Sequence, residues 1–255
     1  MSAVHQAQLS RPRRGVMDFL EWASRTLATG MLPGLIVGLV VGGVGSRLAM
    51  RVMTLTSEPA ARGLETDFGA TVGRITSGGT LFLLIAGSVL GMAGGIAYVA
   101  IRRLLPGRGW VKGLVFGALL LALAGRILIS PDNPDFLILS PAGLAVAMFS
   151  ALPILYGLLF VPLHRRLEPK IAGVRGPVLV IITPVLVGLL PLVLLGGFGV
   201  LVIAGSLLAW VFARSIGERE QRVLRLAGSA LVAGLAIWRG ALFVSGVADI
   251  LSRGL

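Results

Sequence analysis

The sequence predicts an all-α protein, a polytopic bundle of about seven transmembrane helices with its N-terminus inside. Three observations predict this class. Hydrophobic residues make up 56% of the 255 residues and charged residues only 13%, whereas soluble domains carry about 25% charged residues. Seven apolar stretches approach the roughly 20 residues that a helix needs to cross the hydrocarbon. The Lys and Arg residues are divided unequally between the segments that join these stretches.

The predicted elements begin with a basic segment, residues 1–27. Its apolar residues recur at helical spacing and indicate an amphipathic helix on the inner membrane surface. The transmembrane domain covers 28–251, with spans at about 28–46, 81–101, 111–129, 141–163, 177–195, 199–213 and 226–251. The sixth span is short and Arg239 interrupts the seventh, so six spans plus an interfacial helix stay open. The last membrane helix could also end near Trp238.

The orientation follows from the basic residues. Of the 23 Lys and Arg residues, 16 lie before the first span or in alternate connections that face one side. Basic residues are retained on the cytoplasmic side, which places the N-terminus inside and the C-terminus outside. The formal charge of +12 therefore indicates contact with anionic inner-leaflet lipids and no nucleic-acid partner. The arginine-rich, glycine-rich composition is typical of a bacterial inner-membrane protein.

Small residues on two spans predict how the helices pack. Glycines recur at every fourth position on the first and second spans and form one face on each. They are Gly34, Gly38 and Gly42 on the first span and Gly87, Gly91 and Gly95 on the second. Such faces allow close approach of helix backbones in lipid. We expect the two helices to pack on each other, although glycine repeats also occur at oligomer interfaces and in channel-lining helices.

Interior prolines predict bends in two spans. Pro184 and Pro191 lie in the fifth span and Pro153 in the fourth. Each removes a backbone N–H and crowds the carbonyl four residues earlier, which kinks a helix.

The residues that catalysis or cofactor binding would need are scarce. The chain has no Cys and two His, His5 and His164, and no carboxylate lies in the centre of a predicted span. Metal sites and haem need several such ligands at one depth. We therefore expect no enzymatic chemistry, no metal and no cofactor, and we interpret His164 as an interfacial residue.

Arginines on the predicted outer side are the candidate ligand-binding residues. They are Arg47, Arg51, Arg74, Arg126 and Arg239. In one interpretation their guanidinium groups line an outer vestibule and bind an anionic group. In the other they form structural ion pairs with outer carboxylates, Arg126 with Asp132 or Asp135 and Arg239 with Asp249.

The long outer loop, 47–80, is the expected place for a substrate-facing element. Together these observations predict an integral membrane protein that transports or senses a small anionic or amphiphilic ligand through the outer arginines. The alternative is a non-catalytic structural or assembly subunit whose glycine-rich faces bind other membrane helices. A homo-oligomer or another membrane protein would then be its partner.

Overall fold

The structure is a computed structural model that describes residues 11–56, 76–129, 141–173 and 218–253. Within these ranges every element is a helix and none is a strand, as the all-α class requires. The elements are α1 (Arg11–Val37), a π-helical segment (Gly38–Gly45), α2 (Ser46–Thr56), α3 (Ser77–Ile101), α4 (Trp110–Leu128), α5 (Ala142–Ala172) and α6 (Glu218–Arg253).

Four helices in the described ranges are long and apolar enough to cross a membrane. They are Trp22–Thr56, Ser77–Ile101, Ala142–Ile171 and Gly228–Ser252. This is consistent with a membrane protein. The 19-residue α4 occupies the position of the third predicted span. The predicted fifth and sixth spans, and with them Pro184 and Pro191, lie outside the described residues.

The first helical rod is longer than the sequence predicted. It runs without a break through α1, the π-helical segment and α2, so the N-terminal helix is continuous with the first span. The segment predicted as an outer loop, 47–80, is helical at both ends. α2 continues to Thr56, and Thr76 caps α3 by accepting a hydrogen bond from the Gly79 N–H. Two arginines lower the hydropathy of α2, yet its Ala49 and Met53 are buried.

The last helix is also continuous. α6 passes through Trp238 and Arg239 as one helix that ends at Arg253. The helix itself does not end near Trp238, so residues 240–251 do not form a separate surface helix. Gly240 does not interrupt the helix, and a Cβ at this position would lie 3.7 Å from the Cβ of Ala122 on α4.

The rod and α3 are antiparallel and touch through their glycine-rich faces. A Cβ at Gly38 would lie 2.7 Å from the Cα of Gly91, and one at Gly42 would lie 2.8 Å from the Cα of Gly87. Real side chains do not reach such distances, so only glycine permits this backbone separation. The π-helical segment coincides with this glycine-rich contact. Because both faces are covered within the chain, they are not open to another protein.

The remaining helices form a second layer around α4. Gly113 and Gly117 of α4 lie against Gly157 and Ile154 of α5, which makes these two helices antiparallel. Pro153 lies within α5 at this crossing, and its carbonyl oxygen would be 2.7 Å from a Cβ at Gly117.

α6 runs parallel to α4, since residues that follow one another on α4 meet residues in the same order on α6. Gly240 lies opposite Ala122, and Phe243 lies against Gly125. α5 therefore ends, and α6 begins, at the same end of the bundle. We call it the basic end, defined by the end of α3 (Arg102, Arg103), the start of α4 (Arg108, Lys112) and the end of α5 (Arg165, Arg166, Lys170).

Aromatic side chains fill the centre of the bundle near the basic end. Tyr98 makes edge contacts with Phe116 and Phe160, with ring centroids 5.0 and 5.2 Å apart. Phe160 stacks on Tyr156 at 5.4 Å. These rings come from α3, α4 and α5, so the aromatic cluster joins three helices in one core.

Candidate functional site

The most connected polar site in the described residues surrounds His164 on α5. Its side chain is 1% exposed, and its ring stacks on Phe160 at 5.6 Å and meets the edge of Tyr98 at 5.2 Å. His164 Nδ1 lies 2.8 Å from the carbonyl oxygen of Thr29, and Nε2 lies 3.2 Å from Nη1 of Arg102. A carbonyl only accepts and a guanidinium only donates, so Nδ1 carries the proton and the imidazole is neutral.

Pro33 explains why the Thr29 carbonyl needs this donor. Pro33 lies inside α1, four residues after Thr29, where an ordinary residue would donate its N–H to that carbonyl. Proline has no N–H to give. His164 supplies the missing donor from α5, which is how proline is tolerated in membrane helices. The histidine side chain of α5 is thereby hydrogen-bonded to the backbone of α1.

Arg102 completes the site from the end of α3. Its Nη1 donates to Oε1 of Glu168 as well as to His164. The second oxygen of Glu168, Oε2, lies 3.6 Å from His164 Nε2. One carboxylate, one guanidinium and one neutral imidazole thus form a compact network. The three side chains are hydrogen-bond or ion-pair partners of one another. Within the described residues, no cluster of three or more His, Cys, Asp or Glu side chains could bind a metal ion.

Tyr156 adds a second bond from a side chain to a helix backbone. Its hydroxyl donates to the carbonyl oxygen of Gly91 at 2.6 Å. Gly94 provides the space for the ring, since a Cβ there would lie 3.1 Å from the Tyr156 hydroxyl oxygen. Tyr156, Phe160 and His164 are spaced by four residues and occupy one face of α5. That face binds both α1 and α3.

Two of the predicted outer arginines, Arg126 and Arg239, join α4 to α6. Nη1 of Arg126 donates to the carbonyl oxygen of Leu242 at 3.1 Å. Nη2 of Arg239 donates to the carbonyl oxygen of Leu123 at 3.0 Å. The two bonds are reciprocal, because each helix contributes one guanidinium and one carbonyl, and we call this pair the arginine clasp. It lies three quarters of the way along α4, away from the basic end.

The ion pair predicted between Arg239 and Asp249 is wrong. Ten residues separate the two along a continuous helix, a rise of about 15 Å at roughly 1.5 Å per residue. Neither side chain is long enough to close that distance. Asp132 and Asp135, the predicted partners of Arg126, lie outside the described residues.

Of the other predicted arginines, Arg47 and Arg51 do not join the clasp. Arg47 belongs to α2, and its side chain reaches the start of α3. There its Nη2 is 3.5 Å from the carbonyl oxygen of Thr76. Its Nε is buried and has no hydrogen-bond partner among the described residues. Arg51, one turn later on α2, is exposed. Arg74 lies outside the described residues. The structure therefore places two of the predicted arginines in the clasp between α4 and α6 and a third, Arg47, beside the start of α3.

Comparison with protein-family models, with curated proteins and with solved structures finds no match to this chain.

Sequence reasoning missed the His164 site, which it interpreted as interfacial. One signal was present: Pro33 leaves the Thr29 carbonyl without its helical donor and therefore available to a donor from another helix. Glu168 follows His164 by one helical turn, which also favours a local network. Thr29 and Arg102 are 135 and 62 residues away from His164, so no short motif could have linked the three.

Proposed function

We propose that the chain is a seven-span protein of the bacterial inner membrane, with its N-terminus in the cytoplasm and its C-terminus outside. The helix directions support this topology. Since α5 ends and α6 begins at the basic end, an even number of spans has to separate them, and the two spans expected in 177–213 satisfy that condition. The basic end faces the cytoplasm in this proposal and contacts anionic inner-leaflet lipids.

Within that topology, the function that the geometry supports best is a non-catalytic structural or assembly subunit. The arginine clasp is the observation that carries it. A lone arginine in a span costs about 2.5–3.5 kcal/mol on the insertion scale. A hydrogen bond to a charged group returns about 1.5–3 kcal/mol. Arg126 and Arg239 each obtain such a bond from the neighbouring helix, which offsets that cost and supports a structural role for them.

A second candidate, binding of a small anionic ligand for transport or sensing, is favoured by Arg47. Its buried Nε has no hydrogen-bond partner in the described part of the chain, and Arg51 lies one turn away on α2. Guanidinium groups bind carboxylate or phosphate through two parallel bonds. This candidate uses Arg47 and Arg51 and leaves the clasp as a structural element. Neither candidate requires a cofactor or a catalytic residue.

A flux assay distinguishes the two candidates. We expect liposomes that contain the purified protein to take up small organic anions no faster than empty liposomes. Replacement of both clasp arginines, Arg126→Met with Arg239→Met, is expected to lower thermal stability in detergent without any change in flux. Arg51→Met removes the same charge from an exposed position and is the control for stability. Anion uptake by the wild type that Arg47→Met abolishes would support the second candidate and contradict the first.

The topology and the assembly role have separate tests. An alkaline phosphatase fused after Leu255 is expected to be active, because that enzyme works only outside the cytoplasm; an inactive fusion would contradict seven spans. A complex larger than one chain is expected after extraction of native membranes in a mild detergent. A strictly monomeric protein would contradict the assembly role.

A further inference from the structure

Two cations at the basic end, Lys112 and Arg165, have no counter-charge among the residues whose side chains the structure describes. Arg165 of α5 reaches the start of α4, where its Nη1 lies 4.0 Å from the position of a Cβ at Gly109. Lys112, in the first turn of α4, lies within electrostatic range of both Arg165 and Arg102. With the described side chains neither Lys112 nor Arg165 forms an ion pair, and the one such carboxylate at this end, Glu168, is engaged by Arg102. Like charges thus lie close together, and no described carboxylate neutralises them.

The position of Lys112 makes this arrangement unfavourable without a ligand. The first turn of a helix carries partial positive charge and favours acidic residues. α4 has no acidic residue there, and its N-cap, Gly109, offers no side-chain acceptor. The helix dipole therefore adds to the repulsion between Lys112 and Arg165. An anion between them would relieve it.

The surroundings indicate the source of that anion. Trp110 is 68% exposed and lies two residues from Lys112, and tryptophan is enriched where a membrane helix meets the headgroup layer. Lys112 is half-buried, as expected for a lysine whose carbon chain lies along an apolar helix while its amine reaches the interface. At that depth the abundant anion is the phosphate of a phospholipid headgroup.

We infer that Lys112 and Arg165 form a binding site for the phosphate of an anionic phospholipid. Arg165 binds two phosphate oxygens through its planar guanidinium, and Lys112 contributes a point charge. Trp110 contacts the adjoining acyl chain. The inference rests on the proposed function only in that the chain is embedded in a membrane. It does not depend on which leaflet the basic end faces.

The experiment is a lipid titration of the full-length protein in detergent, followed by native mass spectrometry. Phosphatidylglycerol is expected to bind more tightly than phosphatidylcholine. At about fivefold for each basic residue near a membrane surface, Lys112→Gln with Arg165→Gln should weaken phosphatidylglycerol binding about 25-fold. The matched control, Arg166→Gln with Lys170→Gln, removes two exposed charges from the same end and should weaken binding several-fold less.

Three outcomes would overturn the inference. Equal losses in the two double variants would mean that only the net charge attracts lipid. No loss in Lys112→Gln with Arg165→Gln would mean that the phosphate binds elsewhere. Competition by inorganic phosphate as strong as that by phosphatidylglycerol would assign the site to a soluble anion.

Folding and membrane insertion are checked separately. Without lipid, the variant that lacks Lys112 and Arg165 should be at least as stable to heat as the wild type, because a repulsion has been removed. A less stable variant would contradict the unneutralised arrangement on which the inference depends. Recovery of the protein outside the membrane fraction would refute the proposed function, whereas failure of lipid binding alone would refute only this site.

Discussion

The bond between His164 and Thr29 should matter only because residue 33 is proline. His164→Phe keeps an aromatic ring against Phe160 but removes both ring nitrogens. Pro33→Ala returns a backbone N–H to α1, one turn after Thr29. In that background the Thr29 carbonyl has a helical donor again, and the histidine becomes dispensable to it.

The size of this effect follows from the burial of the site. Thr29 is 5% exposed and His164 1% exposed, so water does not replace the lost donor. An orphaned buried carbonyl costs about 1–3 kcal/mol, and interhelical hydrogen bonds in membrane proteins measure about 0.6–2 kcal/mol. We expect His164→Phe to destabilise the wild type by about 2 kcal/mol and the Pro33→Ala protein by about 1 kcal/mol or less. Arg102 retains Glu168 in both backgrounds.

The assay is a double-mutant cycle on the free energy of unfolding, measured in mixtures of mild detergent and dodecyl sulfate by circular dichroism. The misfit of a larger ring is the same in both backgrounds and cancels in the cycle. Pro153→Ala provides a matched control, because the carbonyl that Pro153 leaves without a donor is not bonded to His164. Additivity of His164→Phe and Pro33→Ala within about 0.5 kcal/mol would refute the reasoning.

Two further variants test the helix contacts by the same measurement. Gly91→Ala would place a Cβ 2.5 Å from the Cα of Gly38, so we expect a loss of about 1–3 kcal/mol, whereas Gly234→Ala meets no atom within 4 Å and should gain up to about 1 kcal/mol in helix propensity. Equal effects of the two would mean that the contact between α1 and α3 is looser than described. Tyr156→Phe removes the bond to the Gly91 carbonyl and should cost about 0.6–2 kcal/mol; an unchanged stability would mean that this bond contributes nothing.

The features that were predictable from the sequence are those that depend on the residues of a single helix. The lengths of the apolar stretches predicted the approximate positions of the described long helices, and the spacing of glycines on two spans predicted faces that lie together in the structure. The residues at which the helices end were harder to predict from the sequence. The charges of Arg47 and Arg51 suggested a loop, but arginine is a good helix former, and the buried Met53 holds α2 against its neighbours.

The polar contacts were not predictable in the same way, because their acceptors are largely backbone atoms. Carboxylates were the expected partners of Arg126 and Arg239, since only side chains can be read from a sequence. The carbonyl groups of Leu123 and Leu242, which the structure uses, are present at every position of every helix. Which carbonyl lies beside an arginine depends on how two distant helices are aligned, and that alignment exists only in the folded bundle.

The arginine clasp has a consequence for how this protein can diverge. Since each acceptor is a main-chain oxygen, any residue other than proline one turn later leaves the acceptors at positions 123 and 242 in place. The donors have no such freedom, because even lysine lacks the length and the planar fork of arginine. Among homologues, positions 126 and 239 should therefore stay arginine while the positions that face them vary, and a covariation search over side-chain pairs would not detect this contact.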